Sequence, residues 1–242
     1  MTGTAPVICI DGPSGAGKGT LSQCLAAELG WHLLDSGALY RVVGFAGRQA
    51  GVSLEDSDAV AAIARCLDVD FRPTDAGVSV WLAGKDVTAK LRTEEGGRDA
   101  SIVAALLTVR EALLLRQQEL ARSPGLIADG RDMGTVVFPR APLKIFLTAS
   151  AEARAERRFY QLQGIGESVR LARLLTDIQQ RDARDQSRAV SPLVPAEDAI
   201  VIDSTALSAY EVLRAVCDLA AARDLYSDAS ESRLDPAEAS RP

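Results

Sequence analysis

Residues 7–20 read Val-Ile-Cys-Ile-Asp-Gly-Pro-Ser-Gly-Ala-Gly-Lys-Gly-Thr, an apolar run passing into a glycine-rich turn that ends on a lysine. No other stretch constrains the fold so tightly. Gly12, Gly15 and Gly17 let the backbone turn and approach an anion with no Cβ in the way. Successive N–H groups then converge on one hollow, and the helix that follows turns its positive end to the same point. Lys18 adds a charge for the β- and γ-phosphates. An ordinary glycine turn is the competing reading, and the strand before and helical pattern after the loop weigh against it. The spacing Gly12-x4-Gly17-Lys18 runs on as Gly19-Thr20, which places the hydroxyl one position later than usual.

The remainder of the chain fits a sheet behind this loop. Five short apolar runs, at 7–11, 31–34, 126–129, 143–148 and 199–202, alternate with helical patterns at 18–29, 38–50, 56–67, 108–122, 151–163, 168–184 and 208–223. Brief, wholly apolar strands separated mostly by helices read as βα units, so the expected class is α/β, a five-stranded parallel sheet flanked by helices. Asp56, Thr108, Ser150, Ser168 and Ser208 are the expected N-caps or their neighbours. Between 69 and 88 the rhythm changes. Val78-Ser-Val-Trp-Leu alternates among the turn residues Pro73, Asp75, Gly77 and Gly84, which predicts an antiparallel hairpin. The expected organisation is a core of 1–62 and 107–226 with a lid around 154–188, an inserted small domain at 63–106, and a disordered tail at 227–242.

Composition removes several functions. A net charge of −6 over 242 residues argues against a nucleic-acid partner, which would call for a basic face. No apolar run approaches the roughly 18 residues of a membrane span, and the N-terminal residues lack a basic segment followed by an apolar one, so a cytoplasmic protein without a membrane partner is expected. Cys9, Cys24, Cys66 and Cys217 form no CxxC pair and read as reduced thiols, with Cys9 and Cys24 fitting buried positions. His32 is the sole histidine, so a multi-histidine metal centre has no ligands and a catalytic triad only one candidate. His32 reads as a packing or surface residue. The chemistry falls to arginine, lysine, aspartate and backbone.

Three more constellations carry such groups. Asp35-Ser-Gly-Ala-Leu-Tyr-Arg41 leaves the second strand at the carboxyl edge of the sheet, where α/β proteins bind ligands, with Asp35 or Ser36 capping the next helix. Ile127-Ala-Asp-Gly-Arg-Asp-Met-Gly134 ends a strand on Asp129, in the manner of the magnesium-coupling acid of phosphate-loop enzymes. Arg131 and Asp132 follow, suited to an anion and an exocyclic amine. Arg154, Arg157 and Arg158 share one helical pattern, and Arg181, Asp185 and Arg188 follow at spacings of four and three, which puts them on one face. Solvated helices with internal ion pairs would account for these arginines. A phosphate loop in the same chain favours a lid that swings about Gly164 and Gly166 and closes over the transferring group.

Together the runs Ile10–Thr20, Leu34–Arg41, Leu126–Pro139 and Arg181–Leu193 resemble bacterial cytidylate (CMP) kinases, of the nucleoside-monophosphate kinase family of P-loop proteins, and the resemblance spans about residues 5–225. Gly19-Thr20 after the lysine is also that family's form. The resemblance implies that Gly12, Pro13, Ser14, Gly15, Ala16, Gly17, Lys18, Gly19 and Thr20 hold the ATP phosphates. Lys18, Arg157 and Arg158 are then the catalytic cations. Ser36, Tyr40 and Arg41 begin the monophosphate site, and Arg41 and Arg131 hold the CMP phosphate. Ser101, Arg110, Asp132 and Arg188 resemble the cytosine-reading set, and Arg181 and Asp185 the sugar-binding pair. The implied reaction is ATP + CMP ⇌ ADP + CDP, with dCMP also accepted. Mg²⁺ is implied with ATP, with no direct protein ligand assigned and with Thr20 and Asp129 acting through water. Partners are these small molecules alone, and a monomer is expected. Another phosphate-loop kinase, acting on UMP, AMP or shikimate, is the alternative. A GTPase-like switch would need an Asn-Lys-x-Asp run, which is absent.

Overall fold

Short strands that are apolar on both faces can be buried only between two helical layers. The computed structural model describes residues 5–74, 77–164, 166, 168–188 and 190–225, and they adopt that arrangement. The strands are β1 (Val7–Asp11), β2 (His32–Asp35), β3 (Val69–Thr74), β4 (Gly77–Leu82), β5 (Lys85–Asp86), β6 (Leu126–Asp129), β7 (Leu143–Thr148) and β8 (Ile200–Asp203). The helices are α1 (Lys18–Leu29), α2 (Ser36–Gln49), α3 (Ser57–Arg65), α4 (Thr88–Leu91), α5 (Glu94–Val103), α6 (Leu107–Gln118), α7 (Ala151–Gly164), α8 (Leu171–Ser187) and α9 (Ala209–Ala221). A short π-helical turn covers Met133–Val137.

Five strands form one parallel sheet in the order β2-β6-β1-β7-β8, and β3-β4-β5 form a separate antiparallel one. Ile8, Ile10 and Ile127 face α1 and α9 across one core, while Cys9, Leu34 and Ala128 face α2, α3 and α6 across the other. The register sets Asp129 opposite Ile10 on one side and Asp35 on the other. Three acidic strand ends, Asp11, Asp35 and Asp129, therefore gather at one edge. Helices α7 and α8 pack on each other around Ala155, Leu162 and Leu174, a small core separate from the two that flank the sheet.

Several local expectations shift. β2 starts at His32 and includes Asp35, whose carboxylate caps α2 by accepting the Ala38 N–H at 2.9 Å. Asp56 and Ser208 cap α3 and α9 as expected. Thr108 does not cap α6; its hydroxyl meets Ser57 Oγ at 2.7 Å and so joins α6 to α3. α8 begins after Arg170, not Ser168. Cys9 is buried, whereas Cys24 lies on the exposed face of α1. Helix α5 was not visible in the sequence because Gly96 and Gly97 interrupt its pattern. It crosses α2 closely, where a Cβ on Gly44 would stand 2.8 Å from the Asp99 Cβ. Asp99 is buried there and takes both an Nε and an Nη2 bond from Arg48 of α2. The tail at 227–242 lies outside the described residues, and among those described no helix is long and apolar enough to cross a membrane.

Candidate active site

The loop between β1 and α1 leaves the first turn of α1 without a side-chain cap, its N-cap Gly17 having φ 96°. Those N–H groups face a cavity of about 710 Å³ at the sheet's carboxyl edge. Gly12, at φ 145°, passes so close to β7 that a Cβ would fall 1.9 Å from the Leu147 carbonyl oxygen. Ser14 to Thr20 line the cavity, while Gly12 and Pro13 lie beneath it. The Lys18 ammonium donates to the Pro13 carbonyl at 3.0 Å and stands 3.9 Å from Asp129 Oδ1. Burial, with Arg131 adding to it, holds the Lys18 pKa well below the ordinary lysine range. Burial pushes Asp129 upward, with Lys18 opposing and Asp35 assisting.

Three residues that sequence reasoning passed over brace the walls around this cavity. Asp11 accepts the N–H groups of Met133 and Gly134, each at 2.8 Å, and so fixes the loop after β6 to the end of β1. Ser204, just beyond β8, donates to the Ala16 and Thr148 carbonyls at 3.0 Å each. Gln117 of α6, buried behind Ser36, accepts the Ser36 hydroxyl at 2.7 Å. An acid closing an apolar strand was the available signal for Asp11. Ser204 and Gln117 carried none.

The opposite wall collects the remaining candidates. Ser36, Tyr40 and Arg41 come from α2, Ser101 from α5, Arg110 from α6, and Arg131 and Asp132 from the turn after β6. Arg181 and Asp185 come from α8, and Arg188 from its C-terminal end. Asp185 is the hub. It accepts Arg131 Nε at 3.2 Å, the Ser101 hydroxyl at 3.4 Å, and Arg188. These arginines keep its pKa below the ordinary carboxylate range although burial opposes them. Arg110, whose guanidinium lies over the Tyr40 ring at 5.7 Å, donates to Asp132 Oδ2.

Arg181 differs from its neighbours. Its Nε is buried and has no hydrogen-bond partner among the described residues, and desolvation followed by the nearby Arg131 draws its pKa down to about 9. A half-buried guanidinium beside Arg131 and Arg41, with a buried donor unspent, is stabilised by an anion in the cavity.

Arg157 and Arg158 of α7 line the cavity. Arg157 donates to the Ser204 hydroxyl at 3.1 Å and to the Ser204 carbonyl, and Arg158 holds Glu94 of α5 through Nε and Nη2 at 2.9 and 2.7 Å. Arg154, the third arginine of that group, is enclosed instead and lines no part of the cavity. It donates to the Ser14 carbonyl at 3.1 Å and pairs with Asp182 of α8.

The family model for cytidylate kinase matches residues 8–222. The cytidylate kinase of Aeromonas hydrophila is 57% identical over 230 residues, covering 95% of this chain and 99% of its own. That of Stutzerimonas stutzeri is 56% identical over 227 residues, 93% and 99% of the two chains. That of Salmonella choleraesuis is 58% identical over 213, 88% and 94%. Solved structures are looser matches. A gluconokinase from Sinorhizobium meliloti is 17% identical with a TM-score of 0.45, covering 91% of this chain and 94% of its own. Shikimate kinase from Acinetobacter baumannii, in complex with shikimate, is 17% identical with a TM-score of 0.42, covering 92% and 97%. Likenesses that remote have no bearing on the activity.

Proposed function

The chain belongs to the cytidylate kinase family, and we propose how its own residues divide the work of moving the γ-phosphoryl group of ATP to CMP. The observation that carries the assignment is the unpaired, buried Arg181 Nε beside Arg131, across one cavity from the phosphate loop. The acceptor phosphate fits there, held by Arg41, Arg131 and Arg181, with its oxygen facing the donor. That oxygen is already a nucleophile and needs no base; positioning and charge are what the transfer demands. The loop from Gly12 to Thr20 grips the ATP phosphates, and Lys18 follows the charge as it moves to the bridging oxygen.

Base reading falls to the other end. Arg110 occupies Asp132 Oδ2, which leaves Oδ1 to accept the exocyclic amine of cytosine. Ser36, Tyr40, Ser101 and Arg188 complete that end, and Asp185 with Arg181 meets the sugar, where dCMP is accommodated with CMP. Residues 63–106 then act as the acceptor-binding insert and 154–188 as the lid. Arg157 and Arg158 are drawn onto the phosphates once both nucleotides are enclosed.

Magnesium suits this edge. Asp11, Asp35 and Asp129 share this edge, but among the described residues no group of three acidic, histidine or cysteine side chains is placed to hold an ion by itself. The Thr20 hydroxyl and Asp129 carboxylate are hard oxygen donors that would hold it through water, with ATP phosphates supplying the remaining oxygens. When bound, the ion neutralises charge on the phosphates.

A coupled assay of ADP release with CMP, dCMP, UMP, AMP and shikimate tests the reading. CMP and dCMP should be turned over with the highest kcat/KM. A preference for UMP, AMP or shikimate would overturn the assignment of Asp132.

A further inference from the structure

Ser36 lines the cavity, yet its proton is committed elsewhere. Its hydroxyl donates to Gln117 Oε1 at 2.7 Å, and both residues are buried, Ser36 at 3% and Gln117 at 1% exposure. The orientation of the Gln117 amide follows from its other end. That end meets the Leu113 carbonyl at 3.3 Å, and a carbonyl accepts only from a donor, which on an amide is the N–H₂, so the Ser36 side must be Oε1. Gln117 is seven residues beyond Arg110 on α6 and therefore on the same helical face, one layer behind the cavity wall.

We propose that Gln117 is a specificity-positioning residue: by taking the Ser36 proton it makes Ser36 an acceptor-only group facing the base of the monophosphate. An acceptor suits the exocyclic amine of a cytosine and opposes the O4 carbonyl of a uracil. It would also oppose a phosphate oxygen, which places Ser36 at the base end beside Tyr40, Arg110 and Asp132. To serve uracil, Ser36 would have to turn its proton into the cavity and leave Gln117 Oε1 buried without a donor. The discrimination thus resides partly in a side chain that touches no substrate. It rests on the assignment of the base end given above.

The test measures kcat/KM with CMP and with UMP for wild type, Gln117→Met, Gln117→Asn, Ser36→Ala and the Ser36→Ala/Gln117→Met pair. Methionine fills the same space with no acceptor, and asparagine withdraws the amide by one methylene. Each should lower the CMP/UMP ratio by roughly tenfold, the order expected when one buried hydrogen bond changes polarity. The change should fall chiefly on the two KM values. In the Ser36→Ala background Gln117→Met should leave the ratio as it stands, because the group it acts through is gone. If Gln117→Met fails to fold, Gln117→Asn decides. A ratio unchanged in the Gln117 variants but altered in Ser36→Ala overturns the role of Gln117. So does an equal fall in both backgrounds, which would make Gln117 a packing residue only. If Ser36→Ala changes neither nucleotide, it is the placement of Ser36 at the base that fails, and the proposal with it.

Discussion

Arg154 and Asp182 face each other as a two-pronged ion pair, Nη1 to Oδ1 at 3.0 Å and Nη2 to Oδ2 at 2.6 Å, enclosed between α7 and α8. The same guanidinium donates to the Ser14 carbonyl at 3.1 Å and to that of Ala149 at 2.9 Å. One side chain therefore joins the phosphate loop to the helix that carries Arg181 and Asp185. Removing its partner leaves a buried cation, so Asp182→Ala should destabilise the fold by roughly 3 kcal/mol, measured by urea unfolding. An Arg154→Met/Asp182→Leu pair should recover most of that loss, since neither charge then remains to be solvated. Equal stability of Asp182→Ala and wild type would mean the pair contributes nothing.

Lys18 is held near its working position by Pro13 and Asp129 before any nucleotide arrives. Its charge matters most when the γ-phosphoryl group moves. Lys18→Ala should lower kcat at least about 100-fold, near 3 kcal/mol of transition-state stabilisation, with circular dichroism unchanged. A folded variant keeping more than about a tenth of wild-type kcat would exclude Lys18 from the reaction.

Much of the site was legible because its parts are local. Gly12 to Thr20 is one loop, and Arg181, Asp185 and Arg188 betrayed themselves by spacing, even though Arg188 lies past the helical backbone at ψ 132° and reaches back to Asp185. The supports are not local. Asp11 holds residues more than 120 positions away, Ser204 holds a loop 188 positions earlier, and Gln117 lies 81 residues from Ser36. Pairings at that separation depend on how the strands order themselves, which no local pattern records. Arg154 shows the reverse error. Its spacing matches Arg157 and Arg158, but its position on α7 turns it beneath the phosphate loop, away from the cavity.

Asp132 has two tasks, which sharpens what its substitution should do. One oxygen pairs with the buried Arg110 and the other is left for the base. Asp132→Asn offers an N–H₂ group to uracil O4, so the CMP/UMP ratio of kcat/KM should narrow by at least about tenfold. CMP itself should also become a poorer substrate, because Arg110 loses its counter-charge. Unchanged ratios would move base reading away from this carboxylate.

Asp11 links stability to pH. Burial pushes its pKa up to about 7, although the N–H groups of Gly134 and Met133 pull downward and Asp132 pushes it further. The unfolded carboxyl titrates near 4, so the folded protein holds the extra proton between about pH 4 and 7, and stability falls as pH rises through that window. The slope should approach roughly 1.4 kcal/mol per pH unit at its steepest. Urea unfolding of wild type and Asp11→Asn from pH 4.5 to 8 isolates it: wild-type stability relative to the variant should decline up to pH 7 and then level. A constant difference would show that Asp11 ionises as an exposed carboxyl does.

Arg157 and Arg158, proposed as lid arginines, and Arg181 should separate in kinetics. Arg158 is held by Glu94, a partly exposed pair of the kind that contributes little, about 0–1 kcal/mol, and a phosphate can displace it. Arg157 lies on Ser204 at the rim of the phosphate loop, and α7 ends at Gly164, where a Cβ would meet nothing within 4 Å. Contacts that form only over the enclosed phosphates stabilise the transition state more than the bound substrate. Arg157→Ala and Arg158→Ala should therefore lower kcat by about ten- to a hundredfold while CMP affinity stays within about twofold. With the acceptor phosphate bound as proposed, Arg181, whose buried Nε is unspent, contributes before and during transfer alike. Arg181→Ala should raise the KM for CMP by at least about tenfold, the loss of one charge-assisted contact. Steady-state kinetics beside CMP binding by calorimetry distinguish the two patterns. If all three variants change affinity alone, or if the α7 variants are silent, Arg157 and Arg158 belong to a solvated helix and the lid assignment fails.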